Sequence, residues 1–221
     1  MNSFWPPLVL SLQLASVTAV LLLLLGIFIS YGIYFYTKKS TVLFKSLISL
    51  PLVLPPTVLG YYLLIAFQPA NLFGRALGGQ SLAFTFTGLV IGSVIYSLPF
   101  MMNPVFSALE NLPDNLKDAA FTLGKSKCTT FYKVIIPNIK PSILIGAVMS
   151  FAHTIGEFGV VLMIGGNIPG KTRVASIAIY NEVEKMDYAT ANSYALLLLI
   201  FSLAILLGLY TYQQQKTIRL L

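Results

Sequence analysis

The sequence predicts an all-α integral membrane protein with about five transmembrane helices in a single domain, residues 1–221. Three observations lead to this prediction. Hydrophobic residues make up 57% of the chain and charged residues only 10%, well below the quarter expected of a soluble domain. The apolar stretches reach about 20 residues, the length that a helix needs to cross a bilayer. A single long polar segment, residues 110–137, interrupts them.

Stretches without charge locate the spans in order. The first, 8–34, lies in a region from Met1 to Tyr36 that has no charged side chain, and it is too long for the apolar core of a signal peptide. The same test predicts the other spans at 46–67, 83–109, 141–164 and 193–212. Five crossings place the two termini on opposite sides of the membrane.

The distribution of Lys and Arg predicts the orientation, because cationic loops tend to stay in the cytosol. One set of alternate loops holds Lys38, Lys39, Lys45, Lys117, Lys125, Lys127, Lys133, Lys140, Lys216 and Arg219. The other set holds Arg75, Lys171, Arg173 and Lys185. We therefore expect an external N-terminus, a cytosolic polar segment at 110–137 and a cytosolic C-terminus. The net charge of +7 follows from this topology and does not indicate a nucleic-acid partner, since the cations are scattered.

The polar segment predicts two short helices joined by a glycine. Pro113 and Asp114 suit the first turn of a helix. Four small or apolar residues then fall at helical spacing on one face: Leu116, Ala119, Ala120 and Leu123. Gly124 is expected to close this helix in a left-handed conformation.

The second short helix is expected to begin after Gly124, with Ser126 or Thr129 as its cap, and to direct Phe131 back to the membrane. Pro137 and Pro141 mark the entry to the fourth span. Such a pair of helices fits either a compact knob inserted into a partner's groove or an amphipathic hairpin in the lipid interface. Periodicity alone leaves both possibilities open.

The spacing D-A-A-x3-G-x9-V-I-I-P in this segment resembles the EAA loop of ABC importer membrane subunits, with Asp118 where that pattern usually has glutamate. With the rest of the chain, the resemblance is to the molybdate ABC transporter permease family. It is carried by LPLVLPPTVLGYYLL at 50–64, DAAFTLGKSKCTTFYKVIIP at 118–137, FAHTIGEFGVVL at 151–162 and GGNIPGKTR at 165–173. His153 stands where the family often has arginine.

The resemblance implies a type I ABC importer-like membrane subunit, without enzymatic activity of its own, in the cell membrane. Its expected partners are a cytosolic ATPase, which would hold ATP and Mg²⁺, and an external oxyanion-binding protein. No cofactor or metal is expected in this chain. The ATPase would dock on residues of the polar segment: Leu116, Asp118, Ala119, Ala120, Leu123, Gly124, Phe131 and Pro137. Five spans are few to enclose a pathway, so a homodimer is expected.

One motif, taken alone, would indicate a nucleotide-binding site in this chain. Residues 165–172, GGNIPGKT, match the nucleotide-binding pattern G-x4-G-K-[ST]. However, the preceding apolar residues complete the fourth span, and the loop is predicted to lie outside. We interpret it as a plain Gly/Pro turn or as a lip that contacts the oxyanion or its binding protein through Asn167, Lys171 and Arg173.

Polar residues within the spans are the candidates for the translocation path. His153 and Glu157 lie one helical turn apart in the fourth span, where ionised groups are costly and face inward. They either line the path or pair with each other or with neighbouring helices. Ser93, Ser97 and Asn103 of the third span could bind a passing oxyanion or hydrogen-bond between helices. Prolines at 51, 55, 56 and 99 predict bent or broken helices.

Alternatives from other classes are weaker. No Lys or Arg lies within any predicted span, so no cation is available there to hold a divalent anion tightly. An ion-coupled secondary anion transporter would be expected to have a midplane site and a clearer internal repeat. A membrane enzyme would need more catalytic groups than His153 and Glu157. Among oxyanions, molybdate is favoured over sulfate or tungstate by the resemblance alone.

Overall fold

A computed structural model describes residues 4–36, 41–71, 74–75, 78–113 and 115–218. Within them the structure is helical: α1 (Trp5–Tyr36), α2 (Thr41–Val53), α3 (Pro56–Ala66), α4 (Phe86–Glu110), α5 (Asn115–Thr122), α6 (Lys127–Gly156), α7 (Gly159–Gly165), α8 (Ala175–Glu184) and α9 (Tyr188–Ile218). Asp114, Lys38, Lys39 and Arg219, which entered the sequence-based predictions, lie outside the described residues.

The predicted all-α membrane fold is confirmed. Four of the described helices, α1, α4, α6 and α9, are long and apolar enough to cross a membrane. Helices α2 and α3 together would form a fifth crossing, but they are bent by 107° at the break between them. The break falls at Leu54 and Pro55, because Pro55 and Pro56 remove two backbone donors in succession.

The fourth span differs from its predicted bounds of 141–164. Helix α6 begins much earlier, at Lys127, and ends at Gly156. At Glu157 the backbone becomes extended, with φ −66° and ψ 132°, and the rest of the predicted span forms the separate helix α7. What the sequence suggested to be a second short helix of the polar segment is thus the first part of a long membrane helix.

Pro137 does not interrupt α6 because the helix widens before it. Residues Phe131–Ile135 form a π-helical turn, in which Ile136 N–H donates to the carbonyl of Phe131. In a regular α-helix the ring of Pro137 would meet the carbonyl of Lys133. The wider turn relieves this conflict, and the side-chain amide of Asn138 donates to the carbonyl of Val134 at 2.7 Å.

The first short helix of the polar segment, α5, has the predicted end. Gly124 adopts the left-handed conformation with φ +69°, and the N–H of Lys125 donates to the carbonyl of Ala120 at 3.0 Å. Ser126 then caps α6 by accepting the N–H of Thr129 at 3.2 Å. We call residues 115–135 the knob.

Two apolar cores lie at opposite ends of the bundle. The lip-side core joins residues of α1, α3, α4, α7 and α8, among them Leu14, Leu63, Leu89, Ile164 and Ile177. The knob-side core is built mainly from α1, α4 and α6; its buried members include Leu22, Met101, Phe106, Phe131 and Ile139.

A layer of buried polar side chains lies along the bundle between the centres of these cores. We call it the polar layer; its members are Thr18, Ser93, Ser97, Ser150, Thr154 and Glu157. Polar groups in the interior of a membrane bundle are rare and commonly mark functional sites. The polar layer is therefore the candidate functional site.

Candidate functional site

Helices α4 and α6 are antiparallel and approach closely at Gly146. A Cβ atom built on Gly146 would lie 2.5 Å from the carbonyl oxygen of Met101, which is closer than side-chain atoms pack. Glycine at this position therefore allows the two backbones to approach, as small residues commonly do in membrane helices. This approach brings the polar residues of the two helices within hydrogen-bonding distance.

Two residues spaced by four on α4 pair with two residues spaced by four at the end of α6. Ser93 Oγ donates to Glu157 Oε2 at 2.9 Å. Ser97 Oγ lies 2.9 Å from His153 Nδ1 and also 2.9 Å from Thr154 Oγ1. These contacts carry the polar layer across the interface between the helices.

The polar layer borders a cavity of about 550 Å³. Its wall contains the start of α3, the end of α6 and the start of α7, with Tyr96 contributed by α4. Its lining residues are Pro56, Thr57, Tyr96, Ala152, His153, Gly156, Glu157, Phe158, Gly159, Leu162 and Met163. The His153 ring stacks on Phe100 with a centroid separation of 4.0 Å, which fixes its orientation beside the cavity.

Glu157 is held from three sides. Its side chain is only 4% exposed and receives the Ser93 hydroxyl. Its backbone N–H contacts the carbonyl of Thr154, and its carbonyl accepts Ser176 Oγ of α8 at 2.6 Å. Its remaining carboxyl atom, Oε1, is buried and has no hydrogen-bond partner within the described residues. A buried polar atom of this kind is costly unless something binds to it.

The predicted path residues are therefore not all at one place. Ser93, Ser97, His153 and Glu157 lie together, but His153 and Glu157 each pair with a serine of α4 and not with each other. Asn103 is two turns away on α4, exposed, and accepts a hydrogen bond from Ser49 of α2 at 3.2 Å. It joins two helices and does not line the cavity.

The turn at residues 165–173 is held by Thr172. This buried side chain donates to the carbonyl of Gly165 at 2.7 Å and accepts the N–H of Ile168 at 3.2 Å. The preceding residues are helical, not the strand that a phosphate-binding loop requires. The residues that match the nucleotide-binding pattern thus form a compact turn.

The predicted lip residues lie on this turn. Arg173 Nε donates to Asn167 Oδ1 at 2.5 Å, and Asn167 Nδ2 donates to Asn181 Oδ1 of α8 at 2.9 Å. Lys171 is exposed. The turn is therefore hydrogen-bonded to α8, and its Lys171 side chain is exposed.

The knob divides its residues between anchoring and exposed positions. Ala120 and Phe131 are buried, and Leu116 is partly buried. The Phe131 ring lies edge-on to Tyr31 of α1, with centroids 5.0 Å apart. The exposed members are Asp118, Ala119, Leu123 and Gly124, and Leu123 is 74% exposed; Pro137, two residues beyond the knob, is exposed as well. Leu123 thus presents an apolar side chain outside the bundle, where a partner could cover it.

Sequence reasoning missed several members of the site. Thr57, Tyr96 and Phe158 line the cavity, and Ser150 and Thr154 extend the polar layer. A signal for part of this arrangement was present, because Ser93 and Ser97 share the four-residue spacing of His153 and Glu157. On antiparallel helices such matched spacings permit two parallel side-chain pairs.

Residues 22–219 match the family of binding-protein-dependent transport system inner membrane components. The chain is 43% identical to the molybdenum transport system permease protein ModB of Azotobacter vinelandii, over 94% of this chain and 93% of that protein. It is 32% identical to the sulfate transport system permease protein CysT of Salmonella typhimurium, over 86% of this chain and 69% of that protein.

Solved structures show the same fold. A chain in the crystal structure of a bacterial alginate ABC transporter, in complex with a periplasmic protein bound to alginate pentasaccharide, superposes with a TM-score of 0.79 at 15% identity. The superposition covers 98% of this chain and 80% of that chain. The helical arrangement described above is therefore a fold that this chain shares with a chain of that solved structure.

Proposed function

Because this chain belongs to the family of binding-protein-dependent transport system inner membrane components, we propose that it carries molybdate inward across the cell membrane as the permease subunit of an ABC importer. The observation that carries this proposal is the nearly full-length similarity to the Azotobacter molybdenum permease. Sulfate is the second candidate, supported by the lower similarity to the sulfate permease, which extends beyond the matched region.

In this function the energy comes from a separate cytosolic ATPase, and an external binding protein delivers the oxyanion. The knob supports the first partner, since it presents Asp118, Ala119 and Leu123 on a short helix anchored through buried Ala120 and Phe131. The turn at 165–173 supports the second, since Lys171 lies exposed at the other end of the bundle. This arrangement requires the knob and the C-terminus inside and the N-terminus outside.

Helix α6 offers a direct mechanical link between the knob and the cavity. It runs for 30 residues from Lys127 to Gly156, about 45 Å at 1.5 Å per residue. Its first residues belong to the knob, and its last residues line the cavity. Movement of the knob by the ATPase would therefore tilt or shift the helix that carries His153 and precedes Glu157.

A second copy of this chain would complete the pathway. The cavity is not fully enclosed, and the described crossings are too few to surround it. We infer a homodimer, in which two such cavities face one route. The mass of the purified complex tests this inference, and a complex with one permease copy would contradict it.

The test of function is uptake by a reconstituted complex of this chain with its ATPase and binding protein. We expect ATP-dependent accumulation of radiolabelled molybdate, with sulfate accumulated more weakly at equal concentration. Accumulation driven by an ion gradient in vesicles that contain this chain alone would instead identify a secondary transporter. Stronger sulfate uptake would reassign the substrate.

The docking role of the knob is tested by Leu123→Asp. Because Leu123 is largely exposed, the substitution should leave the fold intact but abolish the apolar contact, lowering binding-protein-stimulated ATPase activity by about tenfold or more for a loss of ~1.4 kcal/mol. The matched control is Val42→Asp near the start of α2, also exposed and outside the knob. Normal stimulation in Leu123→Asp would exclude this surface from coupling.

A further inference from the structure

Two breaks in membrane helices meet at the cavity. Helix α2 ends at Val53 and α3 begins at Pro56, while α6 ends at Gly156 and α7 begins at Gly159. A Cβ atom built on Gly159 would lie 2.6 Å from Cβ of Pro56, so the two breaks are in direct contact. Non-helical backbone at membrane depth is tolerated only where protein covers it or where it lines a water-filled cavity.

The first turn of α3 gives the cavity wall a positive character. Pro56 and Thr57 line the cavity, and the residue before them, Pro55, provides no side-chain cap. The start of this 11-residue helix carries the partial positive charge of its dipole. A helix start of this kind favours an anion, but it needs a second group facing the same space to form a binding site.

Glu157 supplies that second group. Glu157 lines the cavity, its carboxyl accepts the Ser93 hydroxyl at Oε2, and its buried Oε1 has no partner within the described residues. Among the described residues that line the cavity there is no Lys or Arg, and the titratable side chains beside Glu157 are His153 on α6 and Tyr96 on α4. An ionised carboxylate buried without a cation is strongly disfavoured, whereas a neutral carboxylic acid places a hydrogen-bond donor on Oε1.

We propose that this cavity is a transient oxyanion-binding site in which protonated Glu157 donates a hydrogen bond to the passing anion, opposite the first turn of α3. The inference rests on the proposed function and explains why a carboxyl group lies on the route of a dianion. A neutral donor binds the anion without the tight hold of a cationic pair, which favours release. A neutral glutamine should serve in the same place.

The experiment measures ATP-dependent molybdate uptake by the complete reconstituted complex carrying Glu157→Gln or Glu157→Ala. Glutamine should retain uptake within about twofold, while alanine, which has no donor, should lose about tenfold, the equivalent of one hydrogen bond. Glu184→Gln, an exposed glutamate outside the cavity, is the matched control and should match wild type. ATPase stimulation by the binding protein should persist in all variants, which shows that they assemble.

The pH profile separates this role from a purely structural one. As the pH rises, Glu157 ionises and repels the dianion, so wild-type uptake should fall relative to Glu157→Gln. The ATPase and binding protein are the same in both complexes, so their own pH dependence cancels in the ratio. If the Glu157→Ala complex failed to assemble, the ratio of wild-type uptake to Glu157→Gln uptake would still test the proposal.

A ratio that does not change with pH, or a glutamine variant as inactive as alanine, would overturn the proposal. Uptake by Glu157→Ala equal to wild type would also overturn it. If the wild-type complex itself showed no ATP-dependent uptake of molybdate or sulfate, the proposed function would fail and this inference with it. These outcomes are distinguishable because the first three require an active wild type.

Discussion

The two apolar cores are closed in different ways. The knob-side core closes where the backbones of α4 and α6 approach, with Gly146 against the carbonyl of Met101. The lip-side core closes through side chains that interdigitate, such as Ile164 against Gly92, and through a turn held by Thr172. One end of the bundle therefore depends on helix spacing, and the other depends on side-chain packing and turn hydrogen bonds.

The difference indicates which end can move. Long helices that touch through backbone can shift together as rods, and the flexible side chains of Met101 and Met102 can adapt to such shifts. The lip-side core instead joins short helices and loops: Leu82 N–H donates to the carbonyl of Phe67, and Phe84 N–H donates to that of Ile164. Such a network is suited to a fixed frame around the two helix breaks, between α2 and α3 and between α6 and α7.

The largest effect is expected from Gly146→Ala compared with Gly92→Ala. The added methyl at 146 meets backbone, which cannot move aside, whereas the methyl at 92 meets the end of the Ile164 side chain. We expect a loss of about 3 kcal/mol for Gly146→Ala and about 1 kcal/mol for Gly92→Ala. Thermal unfolding in detergent measures both, with a decrease of roughly 2–4 °C per kcal/mol for a chain of this size.

Gly208→Ala is the control for these two substitutions, because among the described residues no atom outside its own stretch of helix lies within 4 Å of a Cβ built at Gly208. It should be neutral or slightly stabilising, since alanine favours a helix more than glycine does. Equal losses at 146 and 92 would show that the two cores do not differ in the way described.

An intermediate effect is expected from Thr172→Val on the lip side. The substitution keeps the shape but removes the hydroxyl that joins Gly165 to Ile168, so it should destabilise the turn by about 2 kcal/mol. Limited proteolysis at the turn measures this loss, and exposed Lys171→Ala is the matched control. Unchanged proteolysis in Thr172→Val would mean that side-chain packing alone holds this end.

The smallest effect is expected at the first turns of two helices, α9 on the lip side and α6 in the knob. Asp187 precedes α9 and accepts the N–H of Thr190 at 3.1 Å, and hydrogen bonds from the side chain and backbone of Thr190 lower its pKa below the usual 3.8. A lowered pKa contributes stability above pH 3.8 that is lost as the pH falls through the lower folded value. Ser126, which caps α6 in the knob, does not titrate over this range.

Hydrogen exchange of the amides of Thr190 and Thr129, corrected for intrinsic rates, compares the two starts. Acidification should increase exchange at Thr190 and leave Thr129 unchanged. In Asp187→Asn, which keeps an acceptor but cannot titrate, the acid-dependent increase should disappear. An increase of the same size at Thr129 would indicate general loosening in acid instead.

Much of the fold could be predicted from the sequence because apolar length determines a membrane span. The helices around the first, third and fifth predicted spans follow the charge-free stretches, and Gly124 ends α5 as its freedom to adopt a positive φ suggested. The break at Glu157 was not predicted, since it lies inside an apolar stretch without proline. Only the flanking Gly156 and Gly159 hinted at it.

The continuity of α6 was not predicted, because prolines are present where the helix does not break. Pro137 and Pro141 indicated a helix entry, but a π-helical turn accommodates Pro137 within the helix. The pairing of Ser93 with Glu157 depended on the register of α4 against α6, which is set by the close approach at Gly146. Local sequence carries the spacing of the polar residues but not the alignment of the two helices.

The unbroken course of α6 also constrains how this protein can evolve. Inserting one residue between the π-helical turn and Gly156 would rotate the knob by about 100° around the helix axis relative to Glu157. An insertion of about seven residues would nearly restore the angle but would move the knob some 10 Å farther along the axis. The length of this segment thus determines both the direction and the distance of the knob relative to Glu157. We expect fewer insertions and deletions in this segment than in the loops around it.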